Sequence, residues 1–274
     1  MMKLDVKEHR YYVSAAALFC FIFLMLVTPT IPQSQEYHKF ADKRNLFGVP
    51  NTLNVISIFP FLVIGVIGFV LCLHGNYFGI SLRGEVWGWI FFYAAVVATA
   101  FGSAHYHLKP DDARLVWDRL PVTVALTSVM VIFIIERIDE RTGTAFLFPI
   151  LMLSTVSIAY WRFFDDLRPY AFVQFIPFIA IPAMTVLLPP KYTHSIYWLW
   201  SAGFYLLSEI EEAADRKLYK WTHYIISGHT LKHMSAAMVP ILLTLMLSRR
   251  SIKIESKDAG WKSYVSRKGL VLVV

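Results

Sequence analysis

Long apolar stretches alternate with short polar segments along almost the whole chain. A helix that crosses a bilayer needs about 20 mostly apolar residues, and eight stretches approach that length. They lie at about Val13–Thr28, Asn54–Leu73, Val86–His107, Leu120–Ile135, Thr144–Trp161, Ala171–Leu188, Ser195–Leu207 and His223–Leu247. Because the connecting segments are short, the pattern predicts an all-α integral membrane protein without a large soluble domain.

The first apolar stretch differs from the other seven because Lys3, Lys7 and Arg10 precede it. This arrangement is typical of a signal peptide or of a signal anchor. No small-x-small cleavage site follows the stretch, so we expect it to be retained as a span. The predicted organisation is an N-terminal tail, extra span and loop at residues 1–50, a seven-transmembrane core at 51–248 and a basic C-terminal tail at 249–274.

Composition and charge support membrane insertion and exclude several other classes. Apolar residues make up 57% of the chain and charged residues 16%, whereas soluble domains average about 45–50% and about 25%. The net charge is +7, and much of the excess lies in the tail, which favours a cytoplasmic C-terminus. No mixed basic and aromatic patch suggests nucleic-acid binding. Cys20 and Cys72 fall in different spans, which excludes a disulfide framework and a cysteine-based zinc site.

Polar side chains within the predicted spans are the candidate functional residues, because a charged group near the bilayer centre costs about 2.5–3.5 kcal/mol. Ser103 and His107 are four residues apart and share a helix face. His229 and His233 have the same spacing, which is that of two metal ligands on one helix. Asp118 stands at the start of the fourth span. The alternatives are interfacial residues, a helix cap for Asp118, and histidines that hydrogen-bond between helices.

The order of the spans allows these five residues to meet. The third span ends and the fourth begins at the same membrane face, and four further crossings return the chain to that face before the last span. Three imidazoles and one open position form the ligand set of a catalytic zinc. A carboxylate can hold and deprotonate the zinc water, and a hydroxyl can stabilise a developing oxyanion. The constellation therefore suits a metallo-amidase or esterase.

The combined pattern resembles the alkaline ceramidase family, within the superfamily that includes adiponectin-receptor-like proteins and GPI-remodelling lipid hydrolases. The resemblance rests on Ser103-x-x-x-His107, on Asp118 in Trp-Asp-Arg-Leu-Pro and on His229-x-x-x-His233. It implies an intramembrane zinc amidohydrolase that cleaves ceramide or phytoceramide to a long-chain base and a fatty acid. It further implies that the three histidines bind zinc, that Asp118 deprotonates the water and that Ser103 stabilises the tetrahedral intermediate.

The same resemblance implies a multi-pass protein of the endoplasmic reticulum or Golgi, if the source is eukaryotic, and leaves the oligomeric state open. Animal members carry an acidic calcium site before the first core span. Here only Glu36 and Asp42 are acidic in that region, which puts calcium binding in doubt. This difference and the extra leading span look more like the ceramidase-like branch of plants and bacteria.

Three other functions compete with lipid amide hydrolysis. The chain could be a receptor-like seven-transmembrane protein with a structural zinc, or a hydrolase of another lipid ester. A transporter is a third alternative, although the spans lack paired inverted halves with broken helices.

Further polar residues lie near the end of the seventh predicted span. They are Glu209, Glu211, Glu212 and Asp215, which we expect to form a solvated helix end, with a second cation site as the alternative. We expect Lys232 in the last span to pair with one of these acids or with Asp118.

Overall fold

The computed structural model describes residues 19, 21–74, 77–255, 262–266 and 269–273. Helices dominate this part of the chain. A short 3-10 helix at Gln35–His38 is followed by α1 Thr52–Ile56, α2 Phe59–Leu73, α3 Arg83–Leu108, α4 Asp112–Arg137, α5 Glu140–Phe164, α6 Arg168–Leu187, α7 Ile196–Ala213, α8 Asp215–Trp221 and α9 Gly228–Arg249. The C-terminal residues form an antiparallel sheet in the order β1 Ile252–Glu255, β2 Lys262–Ser266, β3 Gly269–Val273.

Six helical segments among the described residues are long and apolar enough to cross a membrane. They are Thr52–Leu73, which joins α1 and α2, together with α3, α4, α5, α6 and α9. Helix α7 coincides with the seventh predicted span, but three glutamates lie near its end. The predicted first span falls largely outside the described residues, and its residues 21–27 are helical. A predominantly helical fold with six candidate membrane spans is therefore confirmed, while the total of eight spans remains a prediction.

Two helical segments begin five or more residues away from the start that the apolar pattern predicts. Helix α4 starts at Asp112, well before Leu120, because the Asp111 side chain accepts a hydrogen bond from the Arg114 amide and caps the helix. As a result Asp118 lies inside α4, and the interpretation that Asp118 is the helix cap is wrong.

Helix α9 starts at Gly228 rather than at His223. His223 and Tyr224 have positive φ angles of 53° and 63°, which interrupts the helix. The Ser227 hydroxyl then caps the new helix by accepting from the Thr230 amide at 3.1 Å. His229 is therefore the second residue of α9, whereas the predicted bounds of the last span make it the seventh residue.

The close approach of α3 and α4 depends on a glycine. A Cβ atom at Gly102 would lie 1.9 Å from the carbonyl oxygen of Trp117, so any larger residue would push the helices apart. Gly102 and Trp117 each precede one of the predicted site residues, Ser103 and Asp118. This contact therefore brings the two candidate catalytic side chains to neighbouring positions on adjacent helices.

Aromatic side chains fill the core between α3, α4 and α7. The Trp198 ring lies 6.2 Å from Trp89 and 5.2 Å from Phe133, measured between centroids. All three side chains are at most 1% exposed. Trp89 and Trp198 lie in the first two turns of α3 and α7, and Phe133 lies in the last two turns of α4, so the three rings pack that end of the helices together.

A buried ionic cluster occupies the end of α3 away from His107. The Arg250 guanidinium lies 2.5 Å from Glu85 and 4.1 Å from the centre of the Tyr192 ring. The Tyr192 hydroxyl also donates to Glu85, at 3.0 Å. A rise of about 1.5 Å per residue puts Glu85 about 33 Å from His107 along α3. The cluster therefore joins the end of α9 to α3 at a distance from the histidines.

The segment before the 3-10 helix is attached to the turn between α5 and α6. Asp166 accepts hydrogen bonds from the Arg168 side chain at 2.7–3.0 Å, and the amide of Ile31 donates to Asp166 at 3.4 Å. The amide of Gln33 donates to Asp165 at 2.9 Å. These bonds direct the following residues across the end of the helix bundle, where the candidate site lies.

Candidate metal centre

Three histidine side chains from two distant helices converge at one end of the bundle. The Nε2 atom of His107 lies 3.3 Å from that of His233 and 3.4 Å from that of His229. The three residues are at most 6% exposed. A tetrahedral metal ion with bonds of about 2.0–2.1 Å separates two nitrogen ligands by about 3.3 Å. The three histidines that the sequence predicts therefore form a group that can bind a metal ion.

The orientation of His233 is set by Ser57, which is not one of the predicted site residues. The Ser57 hydroxyl donates to the backbone carbonyl of Asn54 at 3.0 Å, and its oxygen lies 2.7 Å from His233 Nδ1. With the hydroxyl proton directed at the Asn54 carbonyl, Nδ1 of His233 is the donor to Ser57. This bond leaves Nε2 of His233 without a proton, as a metal ligand requires.

The orientation of His229 is set by groups on α7 and α8. Glu212 lies 3.5 Å from His229 Nδ1, and the His229 backbone amide donates to Asp215 at 2.8 Å. Glu212 also pairs with Lys232 at 2.7 Å and accepts from the Tyr37 hydroxyl at 2.9 Å. The predicted pairing of Lys232 with one of these acids is confirmed. Glu212 is only about one-fifth exposed, so at this position the expected solvated helix end is wrong.

The alternative of a second cation site at these acids receives no support from the geometry. Within the described residues, the three histidines are the only group of three or more potential ligands close enough to hold a metal ion.

The N-terminal segment covers the histidines. The Phe40 ring is 5% exposed, and its centroid lies 4.9 Å from His107 and 4.7 Å from His229. The His38 side chain attaches this segment to α3 and α4. Its Nδ1 atom lies 2.9 Å from the Tyr106 hydroxyl and its Nε2 atom lies 2.9 Å from the Asp112 carboxylate. The contacts shield one side of the imidazole cluster from water.

The two acidic residues of this segment bind its own basic residues. Glu36 pairs with Lys39 at 2.5 Å, and Asp42 pairs with Arg44 at 2.6 Å. Each carboxylate therefore already has a cationic partner in the region where calcium binding is in doubt.

A cavity of about 150 Å³ extends from His233 into the helix bundle. His233, Ser103 and Asp118 line it together, so the structure brings both predicted catalytic residues beside one of the metal-ligand candidates. Apolar side chains of α3, α4 and α9 form its deeper walls, including Val96, Leu126, Val129 and Val239. The cavity therefore combines a polar end at His233, Ser103 and Asp118 with an apolar interior.

Several residues of this site had a signal in the sequence that could have identified them. Asn54, Ser57 and Gln174 are polar residues within or beside apolar stretches, and Arg119 belongs to the same Trp-Asp-Arg-Leu-Pro motif as Asp118. Phe40 had no such signal, since an aromatic residue near a membrane interface is ordinary.

Comparison of the chain with family models, curated proteins and solved structures gives no match.

Proposed function

We propose that this protein is a zinc-dependent intramembrane amidohydrolase that cleaves ceramide or phytoceramide to a long-chain base and a fatty acid. The observation that carries the proposal is the cavity in which His233, Ser103 and Asp118 adjoin an apolar interior. A lipid amide has matching parts, with a polar headgroup and amide next to long hydrocarbon chains. The sequence resemblance to alkaline ceramidases supports the choice of ceramide among lipid amides.

The donor set suits zinc. His107, His229 and His233 supply three neutral imidazole nitrogens and leave a fourth position for water or substrate, as in catalytic zinc sites. A metal-binding histidine usually bonds another protein group through its second ring nitrogen. Here His233 bonds Ser57, and His229 contacts Glu212. When bound, zinc would polarise the substrate carbonyl and lower the pKa of a water molecule to about 7.

Asp118 is the proposed general base. Its half-buried carboxylate faces the cavity that His233 lines. In this position it can hold a water molecule, accept its proton as the oxygen attacks the amide carbonyl, and pass that proton to the leaving nitrogen. Cleavage of the C–N bond then gives a carboxylic acid and an amine, so that water is the only co-reactant.

Ser103 is the proposed hydrogen-bond donor to the carbonyl oxygen. Its side chain is 3% exposed and lines the same cavity as Asp118. As water adds, negative charge develops on the carbonyl oxygen, and a hydroxyl in a water-poor site stabilises that charge. Loss of one such donor typically lowers kcat about 10²–10³-fold.

The test combines zinc analysis with a lipid panel on protein purified in detergent. We expect about one zinc per chain and release of fatty acid from ceramide or phytoceramide, with little release from chain-matched lipid esters. The Asp118→Asn variant should keep the zinc and lose fatty-acid release. Asp111→Asn is the matched control, because Asn caps a helix as well as Asp does, and should retain activity.

Each of the other outcomes would contradict the proposal in a different way. Fatty-acid release by Asp118→Asn at the wild-type rate would refute the role of this carboxylate. Preferential cleavage of esters would indicate a lipid esterase. Zinc without turnover of any lipid would favour the receptor-like alternative, and folded wild-type protein without zinc would refute the mechanism.

A further inference from the structure

Two buried polar atoms of the cavity wall have no hydrogen-bond partner among the described residues. They are Nη1 of Arg119, on α4 directly after Asp118, and Oε1 of Gln174, on α6. Leaving such groups unpaired away from water costs about 1–3 kcal/mol each, more for a charged group. Two of them line one cavity wall, where a single ligand can supply both missing bonds.

Arg119 is held in place without an acidic partner. Its guanidinium carbon lies 4.6 Å from the centre of the Trp161 ring, 4.9 Å from Tyr170 and 5.2 Å from Tyr37. The side chain is 8% exposed, and no carboxylate of the described residues is within 4.0 Å of its nitrogens. The three rings fix the plane of the guanidinium, so its free N–H group is preorganised for a ligand.

Gln174 has one end of its amide bound and the other free. Its Nε2 group donates to the Tyr205 hydroxyl at 2.7 Å, which fixes the side chain on α6. Both Gln174 and Arg119 line the cavity beside the histidines and also an adjoining cavity of about 170 Å³. A ligand in this space can therefore reach a fixed donor and a fixed acceptor.

We propose that Arg119 and Gln174 form a subsite for the hydroxyl groups of the long-chain base, an inference that rests on the proposed function. A hydroxyl both accepts and donates a hydrogen bond, so hydroxyls satisfy Nη1 and Oε1 together. An anionic headgroup fits less well, because Asp118 and Glu209 line the same cavity. Lys232, the other cation there, is already paired with Glu212. The subsite would select hydroxylated lipids and place their amide bond near Ser103.

The test measures binding separately from turnover. It uses uncleavable analogues in which an ether replaces the amide, with matched chains and with no, two or three headgroup hydroxyls. Dissociation constants are determined in detergent micelles. We expect wild-type protein to bind the hydroxylated analogues roughly 10–100-fold more tightly than the analogue without hydroxyls. Gln174→Leu and Arg119→Gln should each bring this ratio close to one, with unchanged zinc content and unchanged affinity for the analogue without hydroxyls.

The matched control is Thr99→Val. Thr99 lines the same cavity, but its hydroxyl already donates to the Ala95 carbonyl at 2.9 Å. This variant should keep the wild-type preference for hydroxylated analogues. Because Arg119 and Gln174 lie on different helices, agreement of their two variants would distinguish a shared subsite from a local folding defect.

Other outcomes would overturn the inference. A wild-type ratio near one, or a ratio that both variants leave unchanged, would refute the subsite. Tighter binding of an ether analogue with a phosphate headgroup, lost in Arg119→Gln, would assign the site to an anion. Hydroxyl-dependent binding without turnover of any lipid would refute the proposed hydrolysis but not the subsite. Turnover of ceramide without tighter binding of the hydroxylated analogues would refute the subsite but not the proposed hydrolysis.

Discussion

Replacement of Ser57 by alanine should weaken metal binding without unfolding the protein. The variant removes the acceptor that holds His233 Nδ1–H at 2.7 Å and thus frees the imidazole to rotate or to change tautomer. Loss of a residue that hydrogen-bonds to a metal ligand typically lowers metal affinity about 10–100-fold, which corresponds to about 1.4–2.7 kcal/mol. The cost in stability should be smaller, because the lost bond to the Asn54 carbonyl is a single neutral hydrogen bond worth about 1 kcal/mol.

The assay is a competition for zinc between purified protein and a chromophoric chelator, at fixed pH and in the same detergent. Ser157→Ala is the matched control, since its hydroxyl donates to the Ser154 carbonyl at 2.8 Å and it lies in α5, outside the histidine cluster. We expect Ser57→Ala to release zinc at a lower chelator concentration and Ser157→Ala to match wild type. Equal zinc affinity in wild type and Ser57→Ala would refute the reasoning that this hydrogen bond orients a ligand.

Two further predictions concern stability away from the candidate metal centre. Arg250→Ala should destabilise the protein by about 3–5 kcal/mol, because it leaves the carboxylate of Glu85 buried without its cation. Arg249→Ala is the control, since the Arg249 side chain is exposed. Equal melting temperatures for the two variants would contradict this prediction. Hydrogen bonds from Arg168 lower the pKa of Asp166 below its usual value. The charged carboxylate therefore stabilises the folded protein above about pH 4, the usual pKa of an aspartate. This contribution to stability is lost as the pH falls through the lowered pKa. Asp166→Asn should therefore lower the melting temperature at pH 7, and the difference from wild type should shrink in acid; a difference that stays constant with pH would refute the ionic contribution.

The helices could be predicted from the sequence because the signal for a membrane span is local. The length and hydropathy of each apolar stretch can be read from the sequence of that stretch alone. Most predicted spans overlap a helix of the structure. The starts of α4 and α9 could not be predicted from hydropathy, because they depend on capping by Asp111 and Ser227. Those side chains are polar and lie outside or at the edge of the apolar pattern.

The candidate ligands could be predicted for a similar reason, since the spacing of His229 and His233 on one helix is a local property. The residues that hydrogen-bond to these ligands could not be predicted from the sequence. Ser57 and His233 are 176 residues apart, and their contact depends on how α9 packs against α1 and α2. The free amide oxygen of Gln174 likewise depends on the position of Tyr205 on another helix. Packing between distant segments decides these features, and no short sequence pattern encodes it.

The separation of the metal-ligand candidates along the chain has a consequence for biosynthesis. His107 precedes His229 by 122 residues and His233 by 126. At about 5–20 residues per second, a ribosome makes the last ligand about 6–25 s after the first. A nascent chain that carries only α3 and α4 holds one histidine of the cluster, so tight capture of metal must wait until the final helix has been inserted. Metal loading would then distinguish a completed chain from a truncated one.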